Sequence, residues 1–244
     1  MKNEIELSKT YWASVSGGKD SLYMLAHILH ELDKYPLNGV VHFELPYEYP
    51  FIKNVVDYME SECKRFNIPF IRIKPRYDWM ELYNKYNYPT RRLRWCNKYL
   101  KVDCAKQLSD MMLKQNKLVI YYIGYCANEI KRAEKHSKPT EIYPLVDCGI
   151  YEETIWEWAK NQPLFNDYYK YNKRCGCMYC PMQDMNNSKY NSIYYPEEYA
   201  WYMNLARRSE EIYEHSVWQG NPKYNTVYRR KRIEQMELKE LERW

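Results

Sequence analysis

Two short stretches carry residues whose types and spacing can do chemistry. The first is Ser14-Val-Ser-Gly-Gly-Lys-Asp-Ser21. The chain has only 7 glycines in 244 residues, and Gly17 and Gly18 stand side by side here. Adjacent glycines let the backbone turn tightly and bring bare N–H groups to an anion. A helix starting just after them points its positive dipole end at the same spot. Ser16 and Ser21 can donate hydroxyl hydrogen bonds, Lys19 can neutralise charge, and Asp20 can take a hard cation such as Mg²⁺. The arrangement suits a phosphate chain. Its spacing is neither G-x-x-x-x-G-K-[ST] nor G-x-G-x-x-G, which disfavours the P-loop and the dinucleotide fold. The second stretch is Cys175-Gly-Cys-Met-Tyr-Cys180. Cys177 and Cys180 have the gap of two metal ligands on one turn, and Cys175 offers a third thiolate.

These groups need elements to position them. Tyr11–Val15 is a short apolar run that ends in the glycine turn, and Leu22, Leu25, Ala26 and Leu29 then fall on one helical face. Residues 39–43, 69–73 and 118–123 read as further strands, the last apolar on both faces, as in a covered parallel sheet. Phe51, Val55, Met59 and Cys63 mark a helix face, and a helix is expected over 97–114. This alternation predicts an α/β doubly wound, mostly parallel sheet. The character changes near Pro163. The division expected is 1–163 as the nucleotide-binding domain, with 164–244 as a cysteine-rich segment and helical C-terminal region packed on it. Residues 164–195 read as irregular and site-building, 196–215 as a helix, and 228–243 as a charged terminal helix.

Composition narrows the setting. The net charge of +5 permits a polyanionic partner without demanding one. Basic runs stand at 91–94 and 229–232, and each reads first as a solvated face. The chain has 28 Tyr and 8 Trp against 5 Phe. These supply amphipathic rings for interfaces and base stacking, although biased genome composition also accounts for them. The polar start and the absence of a long apolar run predict a cytoplasmic protein without a membrane span. In that setting eight cysteines argue for metal or redox chemistry rather than structural disulfides.

Ser16-Gly17-Gly18-Lys19-Asp20-Ser21 resembles the PP-loop signature S-G-G-x-D-S of the ATP pyrophosphatase superfamily at every fixed position. Further segments resemble its phosphoadenylylsulfate (PAPS) reductase-like branch, in order along the chain. They are Tyr47-Glu48-Tyr49-Pro50, Arg94-Trp95-Cys96 with Leu100-Lys101, Gly124-Tyr-Cys-Ala-Asn-Glu129, Pro144-Leu-Val with Ile155-Trp156, and Arg174-x-Gly176-Cys177-x-x-Cys180-Pro181. The resemblance implies a PP-loop (HUP-like) fold. It also implies an enzyme that splits ATP between its α and β phosphates and adenylates a substrate for attack by nitrogen or sulfur. On the same ground Glu129 and Arg132 are expected near the triphosphate, and Cys96 becomes a fourth thiolate beside Cys175, Cys177 and Cys180. Four thiolates suit a [4Fe–4S] cluster or zinc, with free or redox-active thiols as the remaining reading.

The departures are informative. No cysteine follows Cys180, so the branch's C-terminal catalytic E-C-G-L-H is missing and standard PAPS reduction is disfavoured. Cys126 replaces the arginine of G-x-R-A-x-E, which makes it either a packing residue or a sulfur-carrying nucleophile. Cys63, Cys104 and Cys148 read as packing residues, and the five histidines receive no catalytic role. The expected activity is adenylation of an unknown acceptor for sulfur transfer, with a possible sulfur donor protein and nucleic acid as a possible partner. Sulfonucleotide reduction and a nucleotide-binding component of a DNA-modification or defence complex are the alternatives.

Overall fold

Strand β1 (Ser8–Val15) sends Ala13 and Val15 into one apolar core and Trp12 into another, the period-two alternation of a strand covered on both faces. The computed structural model describes residues 7–162, 164, 166–218 and 225–236. After β1 come α1 (Lys19–His30), β2 (Gly39–Phe43), α2 (Pro50–Arg65), β3 (Phe70–Ile73), α3 (Trp79–Tyr86), α4 (Asp103–Leu113) and β4 (Lys117–Ile123). Then follow α5 (Ile130–His136), β5 (Glu141–Ile142), α6 (Pro144–Asp147) and α7 (Glu152–Lys160). The sheet order is β3-β2-β1-β4-β5, and every pair is parallel. Leu25 and Ile28 of α1, Met59 of α2 and Ile155 of α7 cover one face. Cys104, Leu108 and Met112 of α4 cover the other, against Trp12, Val41 and Val119. The doubly wound α/β sheet expected from the sequence is present. Cys63 and Cys104 are core residues.

The described residues form two units. One comprises those of 1–44, 50–75 and 102–165; the other comprises those of 45–49, 76–101 and 166–244. The division into 1–163 and 164–244 is corrected accordingly, because two early segments pack with the late one. Hydroxyls hold them there: Tyr49 Oη donates to Asn191 Oδ1 (2.8 Å), Tyr88 Oη to the Tyr179 carbonyl (2.8 Å) and Tyr83 Oη to the Leu205 carbonyl (3.2 Å).

The second unit has more helix than its sequence suggested. Besides α10 (Pro196–Tyr213) and α11 (Thr226–Gln235), the stretch read as irregular contains α8 (Tyr168–Tyr171) and α9 (Met185–Tyr194). The sheltered face of α9 includes Ser188 and Asn191, so no apolar period marked it. The C-terminal part of the helix expected over 228–243 lies outside the described residues. The helix expected over 97–114 is α4 preceded by a π-helical turn, Asn97–Val102. Among the described residues no helix is long and apolar enough to cross a membrane.

Candidate functional site

The glycine turn follows β1 at the point where the chain changes direction across the sheet, with β2 on one side of β1 and β4 on the other. Open parallel sheets bind ligands at such a switch point, outside the carboxyl ends of the strands. Gly17 has φ +74°, and a Cβ added there would lie 2.8 Å from Ile52 Cγ2. An L side chain there would be strained in conformation and would push Ile52 aside. A Cβ on Gly124, just past β4, would come within 3.2 Å of the Asp20 carbonyl oxygen, so glycine lets that strand end approach the start of α1.

The loop is fastened by its own serines. Ser21 Oγ accepts from the Ser16 N–H (3.1 Å) and donates to the Gly18 carbonyl (2.9 Å). Ser21 is buried and fastens the loop, while Ser16, the other hydroxyl expected to donate, is exposed. Gly18 is the N-cap of α1 and has no side chain to occupy the first N–H groups of the helix. These are the elements of a helix-terminus anion site.

Lys19, expected to neutralise phosphate charge, is paired with carboxylates of the chain itself. It is 4% exposed, its Nζ lies 2.7 Å from Asp20 Oδ1 and 3.1 Å from Glu152 Oε1, and it sits 5.1 Å from the centroid of the Trp156 ring. Burial holds the Asp20 carboxyl above its ordinary value; Lys19 opposes this, and Glu152 and Glu129 add to it. Glu129 pairs with Arg132 at 2.7 Å, and the Arg132 guanidinium lies 4.4 Å from the Tyr125 ring centroid. Glu152, held through its N–H by Asn128 Oδ1 (2.7 Å), was missed in the sequence because only the fold brings it to Lys19. Cys126 is buried, with Sγ 4.0 Å from Glu129 Oε2. Burial pushes its thiol up, and the carboxylates of Asp20, Glu129 and Glu152 push the same way. A sulfur nucleophile acts as thiolate. This setting opposes one.

The second unit contains a cavity of ≈ 80 Å³ lined by Cys96, Cys177 and Cys180 together with Arg94 and Lys101. Leu45, Pro46, Trp79 and Tyr179 supply an apolar wall. The backbone of the cysteine turn is held by residues without sequence signal. Gln183 Nε2 donates to the carbonyls of Cys177 (2.9 Å) and Met178 (2.8 Å), and the Met178 N–H donates to the Tyr47 carbonyl (3.1 Å). Burial pushes the Cys177 thiol up to about 11; Lys101 opposes this, while Cys180, Glu48 and Cys96 add to it. Burial also raises Cys96, with Cys180 next. Crowded thiols of this kind suit a cation, whose charge would reverse the penalty. Cys175 is half-buried and is not part of the cavity lining, and burial pushes its thiol well up. Among the described residues no three His, Cys, Asp or Glu side chains stand close enough to hold a metal ion as placed. The set of four expected ligands is thus three thiols facing one cavity and one outside it.

No family model matches the chain. An uncharacterized protein of Methanocaldococcus jannaschii is 27% identical over 182 residues. That match takes in 69% of this chain but only 40% of the relative, so this chain spans less than half the relative's length. Among solved structures, it is similar to the U34-tRNA thiolase NcsA of Methanococcus maripaludis with its [4Fe-4S] cluster, at TM-score 0.42 and 15% identity over 97% of this chain and 76% of the other. It is also similar to PAPS reductase of Candida auris in a phosphate complex, at TM-score 0.39 and 14% identity over 62% and 73%.

Proposed function

We propose that the chain is a PAPS reductase-like PP-loop enzyme that splits ATP between its α and β phosphates and adenylates an acceptor for sulfur transfer. The observation that carries this reading is the Ser16–Ser21 loop, set at the switch point of a five-stranded parallel sheet and opening α1. The loop and helix start would hold the β,γ-phosphates, with Asp20 on the Mg²⁺ that arrives with ATP. An acceptor oxygen attacks the α-phosphate, pyrophosphate leaves, and sulfur then displaces AMP from the acceptor. Cys96, Cys177 and Cys180 would hold a metal or a [4Fe–4S] cluster, which supplies sulfur-binding chemistry when present. The chain's own part at that cavity is to line it with three thiols, which would have to draw together around the ion, and to set Lys101 and Arg94 beside them. Incubation with ATP, Mg²⁺ and an acceptor-containing extract should release AMP and pyrophosphate in equal amounts. Formation of ADP alone would overturn the reading, and tight ATP binding without turnover would favour a nucleotide-sensing module.

A nucleic acid is the acceptor that the second unit suits best. Residues 76–101 contain seven basic residues (Arg76, Lys85, Arg91, Arg92, Arg94, Lys98, Lys101) and two acidic ones, a surplus of five. All seven are exposed. Among the described residues, Arg91, Arg92 and Arg94 form no ion pair. Aromatic rings are interleaved with them: Tyr77 and Tyr86 both pack on Tyr99, and Lys98 lies over the Tyr99 ring. Cations alternating with rings suit a single strand whose bases stack. The triple replacement of Arg91, Arg92 and Arg94 by alanine should weaken single-stranded oligonucleotide binding. The salt slope should fall by about 2, at about 0.7 for each phosphate no longer neutralised. An unchanged slope in fluorescence anisotropy titrations would remove nucleic acid from the proposal.

A further inference from the structure

Cys148 packs against the edge of the first unit's core, as expected of a packing residue, and its sulfur also meets polar groups of the same unit. Its Sγ lies 3.0 Å from Tyr35 Oη, 3.2 Å from Lys34 Nζ and 3.6 Å from His27 Nε2. The far nitrogen of that imidazole, Nδ1, is 3.6 Å from Glu31 Oε1. A thiol, a base within reach and a carboxylate behind the base is the general constellation of an activated nucleophile. Here Lys34 and Tyr35 add an ammonium and a hydroxyl on the same sulfur.

The elements explain the convergence. His27 and Glu31 are one helical turn apart at the end of α1, and Lys34 and Tyr35 lie in the turn that follows. Cys148 closes α6 as its C-cap. Gly149, next in the chain, has φ +64°, and an added Cβ there would meet nothing within 4 Å. Cys148 itself is half-buried. The cysteines that make up the two cores differ: Cys63 and Cys104 are fully buried, and burial pushes the Cys63 thiol up to about 12. None of these five residues belongs to the glycine loop or to the thiol cavity.

We propose that Cys148 is a nucleophilic modification site that exchanges with small disulfides bearing negative charge. His27 Nε2 takes the thiol proton, and the sulfur attacks one sulfur of the disulfide R–S–S–R. The old S–S bond breaks as the new one forms, and the leaving R–S⁻ takes the proton from His27. The sum is Cys148–SH plus R–S–S–R giving Cys148–S–S–R plus R–SH, with no outside oxidant. Lys34, 58% exposed on its side chain, favours a disulfide carrying carboxylates and offsets charge on the attacking sulfur.

The probe is 5,5′-dithiobis(2-nitrobenzoate), a dicarboxylate disulfide, at limiting amount on the intact chain, with mixed disulfides located by peptide mass mapping. Cys148 should be modified well before Cys63 and Cys104. Lys34→Ala and His27→Ala should each slow modification at Cys148 by about tenfold while leaving the rates at Cys96, Cys177 and Cys180 within about twofold. With the uncharged 2,2′-dithiodipyridine, the Lys34→Ala effect should shrink. Rates at Cys148 that stay within twofold in both variants, or that match Cys63, would overturn the proposal. Lys34 lies on the surface, so that variant folds and keeps the test decisive.

Discussion

Replacing Lys19 by methionine is expected to lower stability by about 2–3 kcal/mol at neutral pH and AMP release by at least about 100-fold. Breaking a fully buried ion pair costs about 3–5 kcal/mol, and this one less, because Asp20 and Glu152 keep 31% and 25% of their side-chain surface exposed. Methionine preserves the stem against Trp156 but leaves two carboxylates facing each other without the ammonium that lies between 2.7 and 3.1 Å from them. The deficit has a direction in pH. Asp20 titrates above its ordinary value in the folded chain, so its contribution to stability is fully present below that ordinary value. The contribution is lost as pH rises through the raised folded value. Lys19 is what holds that value down, so its removal carries the loss further toward neutrality. Urea midpoints for variant and parent should therefore lie close together near pH 4 and diverge by pH 7. Lys19→Arg, which keeps the charge, should recover most of the difference. A gap that is equal at both pH values would mean that Lys19 acts through packing alone.

The parts of the molecule that the sequence disclosed are those in which neighbours in sequence are also neighbours in function. The strands around residues 11–15, 39–43 and 118–123 were legible because both faces are covered and the runs are continuously apolar. The glycine turn was legible because its backbone demands are local: Gly17 needs a positive φ and has Ile52 against it. The ion pair of Lys19 was not legible, since Glu152 is 133 positions away. The loop-fastening bonds of Ser21 were not legible either, because which way a hydroxyl points depends on a single rotamer.

In the second unit the information is spread differently. Segments 45–49 and 76–101 join the late part of the chain through tyrosine hydroxyls and packed rings, such as Tyr47 tilted against Tyr179 at 4.6 Å. Apolar periodicity does not report such contacts. Arg229 makes the same point. It is buried, stacks on Trp218 at 4.5 Å and bonds to Ser188 and to the carbonyls of Gln183 and Asp184, yet its basic run read as a solvated face. This clamp joins α11 to the start of α9, the helix that follows the cysteine turn.

The thiol cavity leads to the second large expected effect, a split among cysteines that spacing alone would treat as equal. Cys96→Ser, Cys177→Ser and Cys180→Ser should each lower bound iron or zinc by at least about tenfold after anaerobic purification, because each removes a thiolate that faces the cavity. Cys175→Ser should keep the metal, since Cys175 does not line that cavity. A serine hydroxyl at any of the three positions is a poor replacement because a soft thiolate is what selects an iron–sulfur cluster or zinc. The absorption spectrum then separates the two, because iron–sulfur protein is coloured and zinc protein is not. AMP and pyrophosphate release should persist in all four variants, because the glycine loop is built from the first unit. Formation of the sulfur-containing product should fall with the metal in three of them. Metal loss in Cys175→Ser equal to that in Cys177→Ser would return Cys175 to the ligand set. It would mean that the cysteine turn rearranges around the ion, using the backbone freedom of Gly176, where an added Cβ would meet nothing within 4 Å.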